Sequence, residues 1–246
     1  MINRLYTLFL SLFVSLVAYG QTAGTIASKD AMLYDSSRHL YEKGNKLTIV
    51  SKDLEWPKGL SGSVLTELQQ YLTTFFFGQA SDSYDAGWKQ FESLQGKEVH
   101  AIKDDTGTKR RYYDMVLRCL WLEQGRYVSF LARLEERNET SVITQKYSYF
   151  TFDLINKKVL TQKDVFNQTR MWQDANIRSQ FCELLDYMAN THTADSIDWD
   201  HLPNQFALEG QNIRFDLGVD KSGGVYSDVT DDMVDVLFSK DFKRWM

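Results

Sequence analysis

Apolar and polar side chains alternate most regularly between positions 147 and 154. This segment is rich in aromatic and β-branched residues, which is typical of a strand buried on at least one face. The residues that follow predict a polar turn at 156–158, a short return strand at 159–160 and a helical turn capped by Thr161 and Asp164. The alternation separates Tyr147, Tyr149, Thr151 and Asp153 on one face from Ser148, Phe150, Phe152 and Leu154 on the other.

A second period, close to 3.6 residues, predicts three helices. The first spans about 63–77, the second follows Asp82 and ends before Gly96, and the third spans about 171–189. Their apolar stripes contain several aromatic side chains, and packing against a core explains this spacing more simply than a ligand groove does. The first stripe consists of Val64, Leu68, Tyr71, Leu72 and Phe75.

Further strands are predicted where β-branched and aromatic residues are bounded by turn residues. Short turns between consecutive strands favour antiparallel pairing, and helices grouped beside such strands indicate an α+β fold. We therefore predict one or more antiparallel sheets with two to three amphipathic helices packed on one face. The predicted strands are 46–54, 98–103, 111–122, 126–135, 206–208, 213–217 and 233–238, with a charged loop at 135–140.

Residues 1–20 have the pattern of a secretory signal peptide. Arg4 is the one charged residue before Lys29, positions 5–18 are nearly all apolar, and small residues follow. A membrane anchor is the alternative, but the apolar run is shorter than the roughly 20 residues that a span requires. We expect cleavage after Gly20 and an exported protein, periplasmic or extracellular, with no membrane span once the signal is removed.

Composition bounds the size of the fold and its partners. Of the 246 residues, 43% are hydrophobic and only two are proline, which indicates a folded chain. We expect a flexible lead-in at 21–45, an amino-terminal α+β region at 46–145 and a carboxy-terminal region at 146–246, as two domains or as one continuous domain.

The net charge of -5 argues against nucleic acid as a partner, because phosphate binding requires a clustered basic surface. The densest basic cluster is 109–111 (KRR), which lies close in sequence to several aspartates. We interpret it as a solvated strand end.

Catalytic and cofactor motifs are absent from the sequence, and no pair of its four histidines has the short helical spacing of a zinc site. Oxygen ligands suit calcium, so the acidic segment at 192–201 is the candidate for a cation site, although its spacing matches no calcium loop and a solvated acidic loop is the simpler interpretation. We expect no catalytic residue and no cofactor. The candidate metal ligands are Asp195, Asp198, Asp200 and His201.

Two cysteines occur in the chain, Cys119 in a predicted strand and Cys182 in the third predicted helix. Export to an oxidising compartment permits a disulfide between them, provided that their Cα atoms lie within about 7 Å. Two buried free thiols are the alternative. A cysteine nucleophile is not expected, because no histidine is placed by the sequence to activate it.

The segments 149–154 (YFTFDL), 157–161 (KKVLT) and 163–166 (KDVF) together resemble a family of extracytoplasmic bacterial domains of unknown function. The family includes the lysozyme-sensing domain of RsiV-type anti-sigma factors and accompanies some cell-wall polysaccharide deacetylases. Its second hairpin and closing strand are similar to 204–208 (NQFAL) with 213–217 (IRFDL) and to 234–238 (VDVLF), and the amino-terminal half resembles the partner domain that usually precedes it. Where members commonly carry Gly-Gly-Ala-His, this chain has 136–140 (ERNET).

The resemblance implies a binding or sensing role without the effector or catalytic parts of those proteins. We expect no anti-sigma activity, because only residues 1–4 precede the apolar run, and no deacetylase, because the spaced metal ligands are missing. The predicted function is an exported, non-catalytic module that recognises an envelope glycan or a protein such as lysozyme. The alternatives are an envelope-acting hydrolase whose carboxylates are brought together by the fold and a structural envelope protein.

Overall fold

The computed structural model describes residues 31–60, 62–101, 108–167, 205–210, 212–215, 225–228, 238–240 and 242. Three helices lie in these ranges: α1 (Gly62–Phe77), α2 (Tyr84–Gln95) and the single turn α3 (Gln162–Val165). The strands are β1 (Met32–Lys43), β2 (Lys46–Pro57), β3 (Lys97–Glu98), β4 (Lys109–Glu123), β5 (Tyr127–Asn138), β6 (Val142–Asp153), β7 (Lys158–Val159), β8 (Phe206–Glu209), β9 (Asn212–Phe215) and β10 (Val225–Asp228).

The described strands form two sheets. The main sheet has the order β3-β1-β2-β4-β5-β6-β7, and the second has the order β10-β9-β8. Strands β4, β5 and β6 pair antiparallel in sequence order as predicted and β7 extends this meander, whereas β2 and β4 run parallel, so the main sheet is mixed rather than purely antiparallel. The parallel pair arises because both helices lie in the connection between β2 and β4, and parallel neighbours require such a long crossover. The α+β class is confirmed in this broader form.

The large core cluster contains residues of α1, α2 and the main sheet. Leu68, Leu72 and Phe76 of α1 are almost completely buried, and they belong to the same cluster as Trp56 of β2 and Phe130 of β5. Each such side chain contributes about 1.5–3 kcal/mol through removal of apolar surface from water.

Gln69 is a buried polar residue inside this apolar layer. Its Oε1 accepts a hydrogen bond from Nε1 of Trp56 at 2.7 Å, and its Nε2 donates to the carbonyl oxygen of Pro57 at 2.9 Å. Because both ends of the amide have partners, the buried Gln69 does not impose an uncompensated desolvation penalty.

The second sheet contacts the main sheet through β8. The backbone N–H of Leu208 donates to Oγ1 of Thr151 at 2.9 Å, and the Thr151 hydroxyl is also 2.8 Å from that of Ser129. Phe150, by contrast, contacts Tyr71 of α1 with ring centroids 4.8 Å apart. The two faces predicted for β6 are therefore confirmed.

Strand β1 occupies part of the segment predicted as a flexible lead-in. From Met32 onward the chain pairs with β2 over its whole length. The hydrophobic pattern misses this strand because three successive positions on one face are polar, namely Asp35, Ser37 and His39. The division into an amino-terminal and a carboxy-terminal region stays a prediction.

Other predicted elements differ in length or lie outside the described residues. The first two helices and the hairpin of β8 and β9 agree closely with their predictions. Strand β5 continues to Asn138 through most of the predicted charged loop, because its residues pair with both β4 and β6. Of the predicted strand at 98–103, residues 98–101 are described, and among these only Glu98 belongs to a strand, the short β3, which pairs with β1. The predicted helix at 171–189 and most of the strand at 233–238 lie outside the described residues.

Candidate functional site

The turn after β6 is organised around one buried carboxylate. Asp153 is fully buried, and its Oδ1 accepts hydrogen bonds from the backbone N–H groups of Ile155 at 2.7 Å and Asn156 at 3.0 Å. Its Oδ2 accepts from Nδ2 of Asn156 at 2.5 Å. Lys157 completes the turn with a φ of 57°, in the left-handed region that non-glycine residues seldom adopt. The backbone N–H of Lys157 also donates to the carbonyl oxygen of Asp153 at 2.9 Å. Together these four hydrogen bonds hold the conformation of the turn.

A second carboxylate organises the start of α3. Asp164 accepts from the backbone N–H of Thr161 at 2.8 Å and from its hydroxyl at 2.7 Å, which confirms the predicted cap. The ammonium of Lys158 also contacts this carboxylate. Burial alone would raise the pKa of Asp164, but the hydrogen bonds from Lys158 and Thr161 outweigh it and leave the pKa below its usual range.

Residues near the carboxy terminus form the opposite wall. Ser239 donates its hydroxyl to the carbonyl oxygen of Asp164 at 2.7 Å and its backbone N–H to that of Val165 at 2.8 Å. Phe238 forms a β-bridge with Phe166 and stacks on its ring with centroids 5.6 Å apart, and its ring also contacts that of Phe242 at 4.7 Å. This wall is thus fixed to α3 by both polar and aromatic contacts.

An open cavity of about 660 Å³ lies between these elements, and we call it the turn cleft. Three cations line it together with the two structural carboxylates and several apolar side chains. Ile155 is 59% exposed at its rim, whereas Leu160 and Phe242 are buried in its wall. The lining residues are Arg126, Asp153, Ile155, Asn156, Lys158, Leu160, Lys163, Asp164, Ser239 and Phe242.

The chemistry that the turn cleft permits follows from how its carboxylates are used. Asp153 and Asp164 each accept three hydrogen bonds from the turns that they organise. A general acid or base must exchange a proton with a substrate, and these two groups are already engaged. The cleft can therefore bind and orient a ligand through its cations and apolar rim.

A separate polar network lies along β1. Lys52 of β2 is buried, and its Nζ lies 2.7 Å from Oδ2 of Asp35 and 3.7 Å from the centroid of the Trp88 ring. The hydroxyl of Tyr84 donates to the same carboxylate, and that of Ser37 donates to its Oδ1 at 2.6 Å. Burial alone would raise the pKa of Asp35. The hydrogen bonds from Lys52, Ser37 and Tyr84 outweigh this effect, so the pKa lies below its usual value.

The network continues through a serine, a histidine and a glutamate. Ser37 Oγ lies 3.1 Å from Nε2 of His39, and Nδ1 of His39 lies 3.0 Å from Oε1 of Glu98. This order of atoms matches that of a nucleophilic triad. Ser37 has a single proton, however, and it is donated to the ionised Asp35. The Ser37 proton is therefore directed at Asp35 and not at His39, which differs from the serine–histidine hydrogen bond of an active triad.

The predicted site residues can be placed only in part. The metal candidates Asp195, Asp198, Asp200 and His201 lie outside the described residues, and within the described ranges no group of three or more metal-binding side chains occurs. Cys119 has a free thiol whose pKa is raised to about 12, first by burial and then by the nearby Glu55. Cys182 lies outside the described ranges, so the disulfide stays a prediction.

Neither the turn cleft nor the β1 network was identified as a site from the sequence. The strand and turn that build the cleft were predicted, but its walls come from positions more than 70 residues apart along the chain, as in the contact of Ser239 with Asp164. The β1 network had a detectable signal in the sequence. Asp35, Ser37, His39 and Tyr41 occupy every second position, which is the spacing of side chains on one face of a strand.

Among the described residues, no helix combines the length and apolar character needed to cross a membrane. Sequence comparison finds no matching protein-family model and no matching curated protein.

Solved structures do resemble the chain in fold. A member of the DUF3298 family from Bacteroides fragilis superposes with a TM-score of 0.55 at 13% identity, over 86% of this chain and 95% of that one. A DUF3298 family protein from Pseudomonas aeruginosa gives a TM-score of 0.48 at 12% identity, with the same coverage. DUF3298 is an uncharacterised domain family. The first likeness supports the fold alone.

Proposed function

We propose that the protein is an exported, non-catalytic binding or sensing module whose turn cleft recognises an envelope component. The observation that carries this proposal is the cleft itself. Its volume of about 660 Å³ lies within the range of ligand sites, about 300–1,000 Å³. Its carboxylates are engaged by the surrounding turns, which leaves binding as the chemistry best supported.

The lining of the cleft favours an acidic glycan as the ligand. Arg126, Lys158 and Lys163 outnumber the carboxylates of Asp153 and Asp164 by one positive charge, and the Asn156 side chain supplies a polar group of the kind that binds hydroxyls. The exposed Ile155 offers an apolar contact for the face of a sugar ring. Such a site suits a uronic acid or another carboxylated sugar of the envelope.

A protein partner such as lysozyme is the alternative ligand. Lysozymes of the animal type are basic, and a chain with a net charge of -5 attracts basic proteins at low ionic strength. This attraction would involve the acidic surface rather than the cations of the cleft. A negative charge introduced into the cleft should therefore weaken the binding of an acidic glycan and favour the binding of a basic protein.

The test is retention of the exported protein on immobilised polygalacturonate, with neutral dextran and lysozyme columns in parallel. Lys163 is exposed and lines the cleft, whereas Lys89 is exposed on α2 outside it. We expect Lys163→Glu to bind polygalacturonate more weakly by about 1 kcal/mol or more, which is about fivefold in Kd. Its behaviour on the other two columns should not show this loss. Lys89→Glu is the matched control.

Equal retention of both variants on polygalacturonate would contradict recognition through the cleft. Retention on lysozyme alone, weakened by moderate salt, would identify a protein partner instead.

An envelope-acting hydrolase is the second candidate, and one observation favours it. Ser37, His39 and Glu98 are aligned as in a triad, although Ser37 donates its proton to Asp35. A fluorophosphonate probe labels serine nucleophiles covalently. We expect no labelling of the wild-type protein; labelling that Ser37→Ala abolishes would establish the hydrolase and overturn the non-catalytic assignment.

The wider features of the proposal rest on the sequence. Export follows from the signal peptide at 1–20, and a sensing role follows from the resemblance to the RsiV-like family. We also treat α1 and α2 as amphipathic helices that cover one face of the main sheet. A structural envelope protein without a small ligand is the remaining alternative.

A further inference from the structure

Three lysines stand side by side in one row across the main sheet. The pairing register places Lys43 of β1 opposite Lys46 of β2, and Lys46 opposite Lys109 of β4. Side chains that are directly opposite across strands project on the same face, with Cβ atoms about 5 Å apart. Like charges in such positions destabilise a sheet. We call Lys43, Lys46 and Lys109 the lysine row.

Neighbouring carboxylates do not neutralise the lysine row. Among the described residues, no ion pair involves Lys46 or Lys109, and Lys43 donates only to the carbonyl oxygen of Leu94 at 3.4 Å. The adjacent Arg111 contacts the Glu136 carboxylate, and Nε of Arg110 lies 3.8 Å from Glu139. Among the described residues, the three lysines thus add positive charge beyond the two arginine–glutamate contacts at this end of the sheet.

The lysine row borders a groove rather than a flat surface. A cavity of about 340 Å³ is lined by the three lysines, by Arg110 and Arg111, and by Leu94 and Gln95 at the end of α2. Gly96 holds this helix end against β1, because a Cβ at Gly96 would lie 2.4 Å from the carbonyl oxygen of Glu42. The wall of the groove is therefore fixed in position.

We infer that this groove binds a ligand that carries two or more clustered phosphate groups. Phosphate is a strong multivalent acceptor, lysines bind it as mobile point charges and arginines bind it through paired N–H groups. A bound oligophosphate would neutralise the repulsion among the three lysines. The destabilisation that this repulsion causes in the free protein would then be relieved on binding. This site is distinct from the turn cleft and does not depend on the function proposed for that cleft.

The phosphates could belong to a soluble oligophosphate or to lipid head groups, and the chemistry of the groove is the same for both. The test is calorimetric titration of the full chain with sodium tripolyphosphate at low and moderate salt. Co-sedimentation with vesicles of phosphatidylcholine, with and without phosphatidate, forms the second arm. Tripolyphosphate binding without vesicle binding indicates a soluble ligand, and binding in both arms indicates that a membrane surface also reaches the groove.

The variant Lys46→Gln/Lys109→Gln removes two charges from the lysine row. Its matched control is Lys58→Gln/Lys89→Gln, which removes two exposed lysines outside the groove. We expect the first variant to weaken tripolyphosphate binding at least about tenfold, the control to retain it, and moderate salt to weaken both. Because the substitution removes a repulsion, the first variant should also unfold at no lower temperature than the wild type.

Absence of binding in both arms would overturn the inference. Equal binding by the two double variants would overturn it too, because the charge would then act non-specifically. The variant Lys163→Glu, which alters the turn cleft, should bind tripolyphosphate as tightly as the wild type does. This result would separate the two sites, so that failure of one proposal leaves the other intact.

Discussion

The turn cleft and the lysine row both collect charged residues at an end of a strand, but they use them in opposite ways. In the turn cleft, Asp153 and Asp164 are surrounded by donors from their own turns. In the lysine row, Lys46 faces two other lysines across its strand pairs. The first arrangement stabilises the fold that surrounds it, whereas the second is unfavourable until an anion is bound.

This difference separates charges that build a site from charges that would bind a ligand. Charge pairs satisfied within the protein keep the cleft in shape, and their removal should destabilise folding. Cations that repel one another do not stabilise the fold, and their removal should weaken binding while leaving stability unchanged or slightly higher. The four predictions below test that division.

The largest effect is expected for Asp153→Ala. The substitution removes a fully buried carboxylate and leaves the backbone N–H groups of Ile155 and Asn156 without their acceptor, so we expect a loss of about 3 kcal/mol in the free energy of unfolding. The control is Asp82→Ala, since Asp82 is exposed and accepts one hydrogen bond, from Gln70 at 2.7 Å. Urea denaturation measures both; equal losses would show that the turn does not depend on the carboxylate.

A slightly smaller effect is expected for Gly96→Ala at the wall of the groove. Gly96 has a φ of 118°, and its added Cβ would meet the Glu42 carbonyl oxygen at 2.4 Å. We expect a loss of about 1–3 kcal/mol together with weaker tripolyphosphate binding. Gly125 has a φ of 76° and nothing within 4 Å of such a Cβ. Gly125→Ala therefore reports the backbone strain alone, and a loss as large as that of Gly96→Ala would exclude the close approach as its cause.

The pH dependence of stability tests the carboxylates that the protein satisfies internally. The pKa values of Asp35 and Asp164 are lowered in the folded protein, because hydrogen bonds from Lys52 and Lys158, among others, outweigh burial. Their stabilisation is therefore complete above the unfolded value of about 3.9 and is lost as the pH falls through the acid range.

Urea denaturation between about pH 6 and pH 2 should show this loss. Asp164→Asn removes the contribution of Asp164 to this loss. The free energy of unfolding should therefore vary less with pH in this variant than in the wild type. A profile identical to the wild type would contradict the role assigned to Asp164.

The smallest effect, and the one of opposite sign, is expected for Lys46→Gln. Removal of one charge from the lysine row should raise the free energy of unfolding by about 0.2–1 kcal/mol in the absence of phosphate. The gain should shrink at high salt, because salt already screens the exposed charges. Lys58→Gln serves as the control, and a loss of stability in Lys46→Gln would show that the lysine row is structural.

Local features of the fold could be predicted from the sequence. The apolar stripe of α1, the capping at Ser83 and Gly96 that bounds α2, and the two faces of β6 each depend on residues within one element. Strand β1 could not be recognised by hydrophobicity, because its inward-facing Asp35 is balanced by Lys52 and Tyr84 from other elements. Polar positions of that kind appear buried only once their partners are known.

Neither candidate site could be assembled from the sequence. The basic cluster at 109–111 is interpreted from the sequence as a solvated strand end, because several aspartates lie close to it, and Lys43 and Lys46 lie more than 60 residues away. Only the parallel register between β2 and β4 brings Lys46 opposite Lys109. Long-range pairing of this type has no local signal, since it depends on how a crossover returns to the sheet.

The parallel pairing of β2 with β4 also has a consequence for the order in which the chain folds. Strands β4, β5 and β6 are joined by short turns, so their contacts close small loops. The pairing of β2 with β4 must enclose both long helices, and such a loop loses more chain entropy before it forms. Substitutions in the meander should therefore slow refolding, whereas those in β1 and β2 should chiefly accelerate unfolding. The lysine row would then be completed late in folding, when the two halves of the sheet meet.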